Sequence, residues 1–265
     1  MTYPRISAPS LLRETFAVVG SVYPDLLRIN SPHLIWFVLN TFGPDALNRI
    51  IEIIDTSFSE HPGAGTFSVK PIYFWLGTVP FLIYWLVAVP LLWGATTFYT
   101  YRSLTKNQVT ASDAFIQAKR RFLPLLLVYF LSVGLLFAIR WFLWSFVWVS
   151  FLVPIIIIPA LYVLYPLIFS AYATVIDNSS VPDSLGSSWK LTKGRWWLIF
   201  RSNLLMAFVF FVPAILISGL IGSTLGNLLA SQLVGQVLGF IAGVLINVYL
   251  ILLYKALRES AATIE

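Results

Sequence analysis

Charged side chains interrupt this chain at only a few places, and the apolar stretches between them set the first expectations. Residues 71–101 form a run of 31 without a charge, 122–139 a run of 18, 141–176 a run of 36 and 202–254 a run of 53. An ionised side chain at bilayer depth costs ~2.5–3.5 kcal/mol even on the mildest scale, and a helix needs ~20 apolar residues to cross. The spacing therefore predicts spans near 72–98, 122–142, 150–174, 200–222 and 233–255. The last two divide the 53-residue run at 223–231, where Gly226 and Asn227 are breakers. A sixth span is expected near 32–54. It opens apolar at 34–39 and then meets Asn40, Gly43, Pro44, Asp45 and Arg49, of which Asp45 and Arg49 stand four apart and would pair on a helix. The alternative there is a short re-entrant or interfacial piece at 32–43.

Between the runs the pattern changes to a helical period of mixed polarity. Residues 10–19, 112–122 and 183–194 each begin near a cap-forming Ser or Asp, carry an apolar face and lead directly into a span. In the third, Leu185, Trp189 and Thr192 share a face, and Gly194 suits the stop. Lys- and Trp-bearing helices of this kind lie in the headgroup layer. The expectation is an all-α, polytopic bundle of about six spans in three hairpins, each preceded by a cytoplasmic interfacial helix. The three units would be 1–105, 106–179 and 180–265, within one integral membrane domain.

Composition narrows the class further. The chain is 58% hydrophobic and 11% charged, with no Cys, against ~25% charged residues in an average soluble domain. A soluble domain, a disordered chain and a disulfide-stapled module are thereby excluded. Of 17 Lys and Arg residues, 14 fall in 1–31, 102–121, 178–201 and the tail after 254; Arg49, Lys70 and Arg140 are the remainder. By the positive-inside rule those four segments, both termini included, are expected in the cytoplasm. Residues 1–30 hold no continuous apolar stretch of signal-peptide type. The net charge of +6 and pI of 9.6 thus reflect topology and not a nucleic-acid footprint. At the inner face each Lys or Arg gains ~1 kcal/mol from anionic lipids, so anionic headgroups are the expected partners.

One stretch carries a more specific pattern. An apolar span ends in Val175 and Asp177, and Ser184-Leu185, Ser188-Trp189, Leu191, Lys193-Gly194, Trp196-Trp197 and Phe200 follow. This resembles a signature of the six-helix membrane domains found ahead of the catalytic domain of some bacterial glycerophosphodiester phosphodiesterases, and as stand-alone membrane proteins of unknown function. The motif covers roughly 155–205. Two departures are Pro159-Ala160, where the family tends to Pro-Gly, and the polar first span. The resemblance implies a fold in a bacterial inner or internal membrane, and no chemistry, since the catalytic barrel is absent.

Reactive constellations are scarce. His33 and His61 are the only histidines and build no ligand motif, so neither metal nor cofactor is expected. No G-x-S-x-G, P-loop or paired carboxylates occur, and Ser188 and Thr192 have no nearby His base; catalysis is not expected. The most specific repeat is structural. Ala214, Ser218, Gly222 and Gly226 recur every four residues, as do Gly235, Gly239, Gly243 and Asn247. Such stripes let helices approach closely, either within the 200–255 hairpin or at an interface with a membrane partner or second copy. Trp141, Trp144 and Trp148 suit an outer-leaflet belt. Tyr162, Tyr165, Phe169 and Tyr172 share a helix face that is expected to pack against neighbours or lipid, with a substrate or lipid-tail groove as the alternative. With Pro80, Pro90, Pro154, Pro159 and Pro166 as helix breakers, that face supports the alternative to a scaffold, accessory or lipid-organising role: a transporter for a lipid-like or small amphipathic substrate.

Overall fold

Lipid offers no hydrogen bonds to exposed peptide groups, so long apolar segments satisfy their backbone internally as helices. The computed structural model of the protein describes residues 7–59, 79–105, 108–145, 153–225 and 228–262. Side chains are described over the same ranges except 38–59, 139, 140, 142–145, 153–158, 225, 228–230 and 262. Every element described is helical: α1 (Ala8–Ser59), α2 (Val79–Leu104), α3 (Ala111–Arg120), α4 (Phe122–Ser145), α5 (Val153–Ile176), α6 (Val181–Thr192), α7 (Trp196–Leu225) and α8 (Leu228–Ala262). Val79–Leu104, Pro159–Ile176, Trp196–Thr224 and Ser231–Ala261 are each long and apolar enough to cross a membrane. The pair α3 and Phe122–Ala138, bent by 78°, makes a fifth if counted as one span. The chain is an all-α membrane protein.

The N-terminal region departs from expectation. Residues 10–19 are not a separate interfacial helix ahead of a span at 32–54; both belong to α1, a single helix of 52 residues. The expected pairing of Asp45 with Arg49 falls on side chains outside the described residues. At 1.5 Å per residue α1 is about 78 Å long, more than twice the ~30 Å hydrocarbon thickness. Proline normally stops a helix because it leaves a carbonyl without its N–H. At Pro32 the deprived carbonyl is that of Arg28, and the Ser31 hydroxyl donates to it at 2.9 Å, the kind of side-chain substitution that keeps such helices continuous.

The two later short helices are separate elements that begin one and two residues before the expected starts at 112 and 183. Thr110 and Asp113 form a reciprocal capping box on α3, and the Ser180 hydroxyl accepts from the Asp183 N–H on α6. α3 turns Ala111, Ala114 and Ala118 inward. Thr110→Ala should accelerate amide exchange roughly three- to tenfold in α3 alone, with α4 unchanged, in hydrogen-exchange mass spectrometry. Hydrogen bonds from the Thr110 side chain and backbone hold the Asp113 carboxyl below its usual range. The cap is therefore fully present above the unfolded carboxyl pKa of about 4 and is lost as pH falls through the lower folded value. The protection factor of α3, with the intrinsic pH dependence of amide exchange divided out, should fall on that acid side and stay flat toward neutral pH.

The core collects around the second half of α8. Val248, Tyr249, Ile251 and Leu253 are fully buried there against Phe169 and Tyr172 of α5 and Leu26 and Ile29 of α1. Gly94 of α2 is where four helices meet: a Cβ placed on it would lie 2.6 Å from Leu125 Cδ2, 3.3 Å from Ala118 Cβ and 3.7 Å from Val175 Cγ2. Ten residues before it, Tyr84–Ala88 form a π turn ahead of Pro90, whose missing N–H the wider turn accommodates.

Candidate functional site

Polar side chains gather in three places. The first is a node at helix ends. Asp177, just past α5, receives Arg258 Nη1 of α8 at 2.6 Å, and the Tyr254 hydroxyl donates to its other oxygen at 3.0 Å. Arg258 also donates to the Tyr101 hydroxyl of α2 at 3.3 Å. Asn178 follows with φ 56°, a left-handed conformation that asparagine tolerates better than most residues. Its side-chain oxygen accepts from Gln117 at 2.8 Å and Arg121 at 2.7 Å. Arg195, between α6 and α7, donates to the Leu257 carbonyl at 2.8 Å. The Asp177 carboxylate is thus committed to two donors on α8, and the Ser188 hydroxyl of α6 makes no hydrogen bond with it or with any other group among the described residues. A second carboxylate, Asp25, is engaged by the Tyr99 hydroxyl at 2.5 Å.

The motif helix α6 turns its small polar residues toward the protein. Ser184, Ser188 and Thr192 are buried, Leu185 is half-buried and Trp189 is 42% exposed. Trp189 meets Tyr162 edge-on at 5.6 Å, and Trp196 lies 6.3 Å from the same ring. Trp197 is exposed, Lys193 is exposed, and Gly194 has φ 77° at the stop. The aromatic face of α5 is not an open groove. Tyr165, Phe169 and Tyr172 are buried in the core and only Tyr162 is exposed, because Phe169 and Tyr172 pack on Tyr254 at 5.9 and 5.8 Å. Trp141 is exposed; the Trp144 side chain and Trp148 lie outside the described residues, as does Gly226.

The small-residue stripes have two destinations. Gly222 faces Ser231 and Gly235 faces Ser218: a Cβ on each would lie 3.2 Å from Ser231 Cβ and 3.5 Å from Ser218 Cβ, and the Ser231 hydroxyl donates to the Ser218 carbonyl at 2.8 Å. Ala214 is half-buried one turn before Ser218. Gly239 and Gly243, in contrast, have nothing within 4 Å of where a Cβ would stand. They line a cavity of about 270 Å³ together with Asn30 and His33 of α1, Thr96 of α2 and Asn247 of α8. This is the second polar site. Asn30 exchanges hydrogen bonds with Thr96 at 3.0 and 3.2 Å, His33 Nδ1 pairs with the Tyr84 hydroxyl, and Asn247 accepts from Tyr172 at 3.4 Å. Along α8, Asn247 stands about 12 Å and Gly239 about 24 Å from Lys255 at the span's end, so the cavity lies beside the middle of that span. Sequence reading missed Asn30 and Thr96; the available signal was an amide and a hydroxyl standing in otherwise apolar segments.

A third, outer recess of about 530 Å³ lies between α2 and α3. Arg102, Arg120, Gln108, Gln117 and Asp113 line it with Phe98 and Ile116. Arg102 sits 5.3 Å over the Phe98 ring, and neither arginine forms an ion pair among the described residues.

Compared with known proteins, no family model, curated protein or solved structure matches the chain.

Proposed function

We propose that the chain is a non-catalytic, multi-pass membrane protein that organises anionic lipids at the cytoplasmic face and serves as a scaffold or accessory subunit. It would cross six times in three hairpins, with both termini cytoplasmic, as a relative of the six-helix membrane domains that its 155–205 stretch resembles, in a bacterial inner or internal membrane. The observation carrying this reading is the recess between α2 and α3, where Arg102 and Arg120 stand beside two glutamines without acidic partners among the described residues. Two arginines with amide neighbours suit a phosphate group, which they bind through charge-assisted hydrogen bonds, and the apolar Phe98 and Ile116 suit the start of an acyl chain. Asp113 also lines the recess and stays ionised, but against Arg102 and Arg120 the net charge of the lining remains positive.

The test is lipid enrichment around the full chain in nanodiscs of mixed phosphatidylglycerol and phosphatidylcholine, read by native mass spectrometry. At ~1 kcal/mol per basic residue, Arg102→Gln with Arg120→Gln should lower phosphatidylglycerol retention roughly 5- to 25-fold. Unchanged retention in the double variant would sink the reading. A second reading, carriage of a lipid-like or small amphipathic molecule across the bilayer, is favoured by the intramembrane cavity. It requires flux of such a molecule into sealed vesicles that depends on the protein.

A further inference from the structure

The intramembrane cavity has a chemistry distinct from the basic recess. Among the described residues no Lys, Arg, Asp or Glu lines it, and an unpaired charge at such depth would be costly, so its occupant is neutral. Among the described residues, Asn247 and His33 each keep a hydrogen-bonding group after the protein's own bonds. Asn247 uses its side-chain oxygen for Tyr172, which leaves the amide N–H groups of the same side chain. His33 uses Nδ1 for Tyr84; the phenol is the stronger acid of the two, so its O–H donates and the imidazole proton stays on Nε2. Both remaining groups are donors, which calls for an acceptor on the ligand. The volume, about 270 Å³, sits just under the ~300–1,000 Å³ of sites for drug-sized ligands, enough for a head and its first carbons and too small for a whole lipid. Next to it, a smaller apolar crevice lies between α1 and α8, lined by Val19, Tyr23, Leu26 and Leu245 and sharing Phe240 and Val244 with the cavity. A chamber whose largely apolar wall carries a few hydrogen-bonding groups, side by side with an apolar crevice, suits an amphiphile.

We propose that this cavity binds a neutral, ester-bearing lipid from the bilayer, its carbonyl held by Asn247 and His33 and one acyl chain lying in the crevice between α1 and α8. Gly239 and Gly243 are then small because the ligand occupies the space a side chain would take. The proposal stands apart from the anionic recess, and either can fail without the other.

A photoactivatable diacylglycerol, and the phosphatidylglycerol with the same photoactivatable chain, test it on the full-length protein in phosphatidylcholine nanodiscs. The neutral probe should label peptides from 19–37 and 237–249, and the anionic probe should label them at least fivefold less. Gly243→Leu, which fills the chamber without a clash, should cut neutral labelling at least tenfold, and Asn247→Ala several-fold. Gly134→Leu, also into open space on α4, should leave it unchanged. A thermal midpoint for Gly243→Leu close to that of Gly134→Leu shows that the fold is intact, and Asn247→Ala supplies the same readout if it is not. Equal labelling by the two probes, or equal labelling of the Gly243→Leu and Gly134→Leu variants, would overturn the site and leave ordinary annular lipid.

Discussion

Tyr172→Ala should destabilise the protein by about 2–4 kcal/mol, the largest loss expected of a single truncation in this core. The ring has no exposure and is enclosed by Trp93 at 6.0 Å, Phe169 at 6.1 Å and Tyr254 at 5.8 Å. Removing an aromatic ring from a packed core costs about 3–5 kcal/mol in soluble proteins. Part of that is transfer from water, which largely drops out when the alternative environment is lipid; the lost dispersion contacts and the void remain. Tyr172→Phe should cost no more than about 1 kcal/mol, because the hydrogen bond it removes to Asn247 is long, at 3.4 Å. Reversible unfolding in mixed micelles separates the two variants. If Tyr172→Ala and Tyr172→Phe lose the same amount, the packing account of this core is wrong.

Gly94→Leu should rank next, at about 1–3 kcal/mol or outright failure to fold. The site is defined by three helices at once, through Leu125, Ala118 and Val175, so an added side chain cannot be accommodated by moving one neighbour. Gly94→Ala should be graded well below it: the nearest atom, Leu125 Cδ2, is the end of a flexible side chain, and Ala118 Cβ at 3.3 Å needs to yield only slightly. Gly134→Leu on lipid-facing α4 is the matched comparison, expected within about 0.5 kcal/mol of the parent. A Gly94→Leu variant as stable as Gly134→Leu would show that the four-helix junction is loose.

How far the sequence predicted this structure depended on which property decided each feature. Helices α2, α5, α7 and α8 were legible because charge is expensive in lipid, so uncharged runs mark them whatever their packing. Sequence spacing puts the starts of α3 and α6 at Ser112 and Asp183, whereas the caps are Thr110 and Ser180, each with an acid three residues on. Which side of α6 turns inward was not legible. In water the apolar side of a helix turns inward; beside lipid both directions are apolar, and size decides instead, so Ser184, Ser188 and Thr192 face the protein while Trp189 faces out. The stripe on α8 divides for a geometric reason. Steps of four residues overshoot a turn by about 40° each, so Gly235 and Asn247, three steps apart, point about 120° away from one another. The first meets α7 and the last meets the cavity. The continuity of α1 through Pro32 was not announced, because Ser31 supplies the bond that Pro32 removes. The cross-helix pairs Asn30–Thr96 and Asp25–Tyr99 join residues 66 and 74 positions apart, and no local spacing announces them.

The node around Asp177 also has a consequence in time. Its phenol partner is Tyr254, 77 residues later in the chain, with Arg258 one turn further. At roughly 5–20 residues per second, the ribosome adds that length in about 4–15 s, during which α6 and the whole α7–α8 hairpin are made while Asp177 lacks its counter-ion. The carboxylate must therefore wait where water or headgroups can reach it, and the end of α5 can settle only when the end of α8 arrives. Assembly of this bundle is accordingly closed from its last helix.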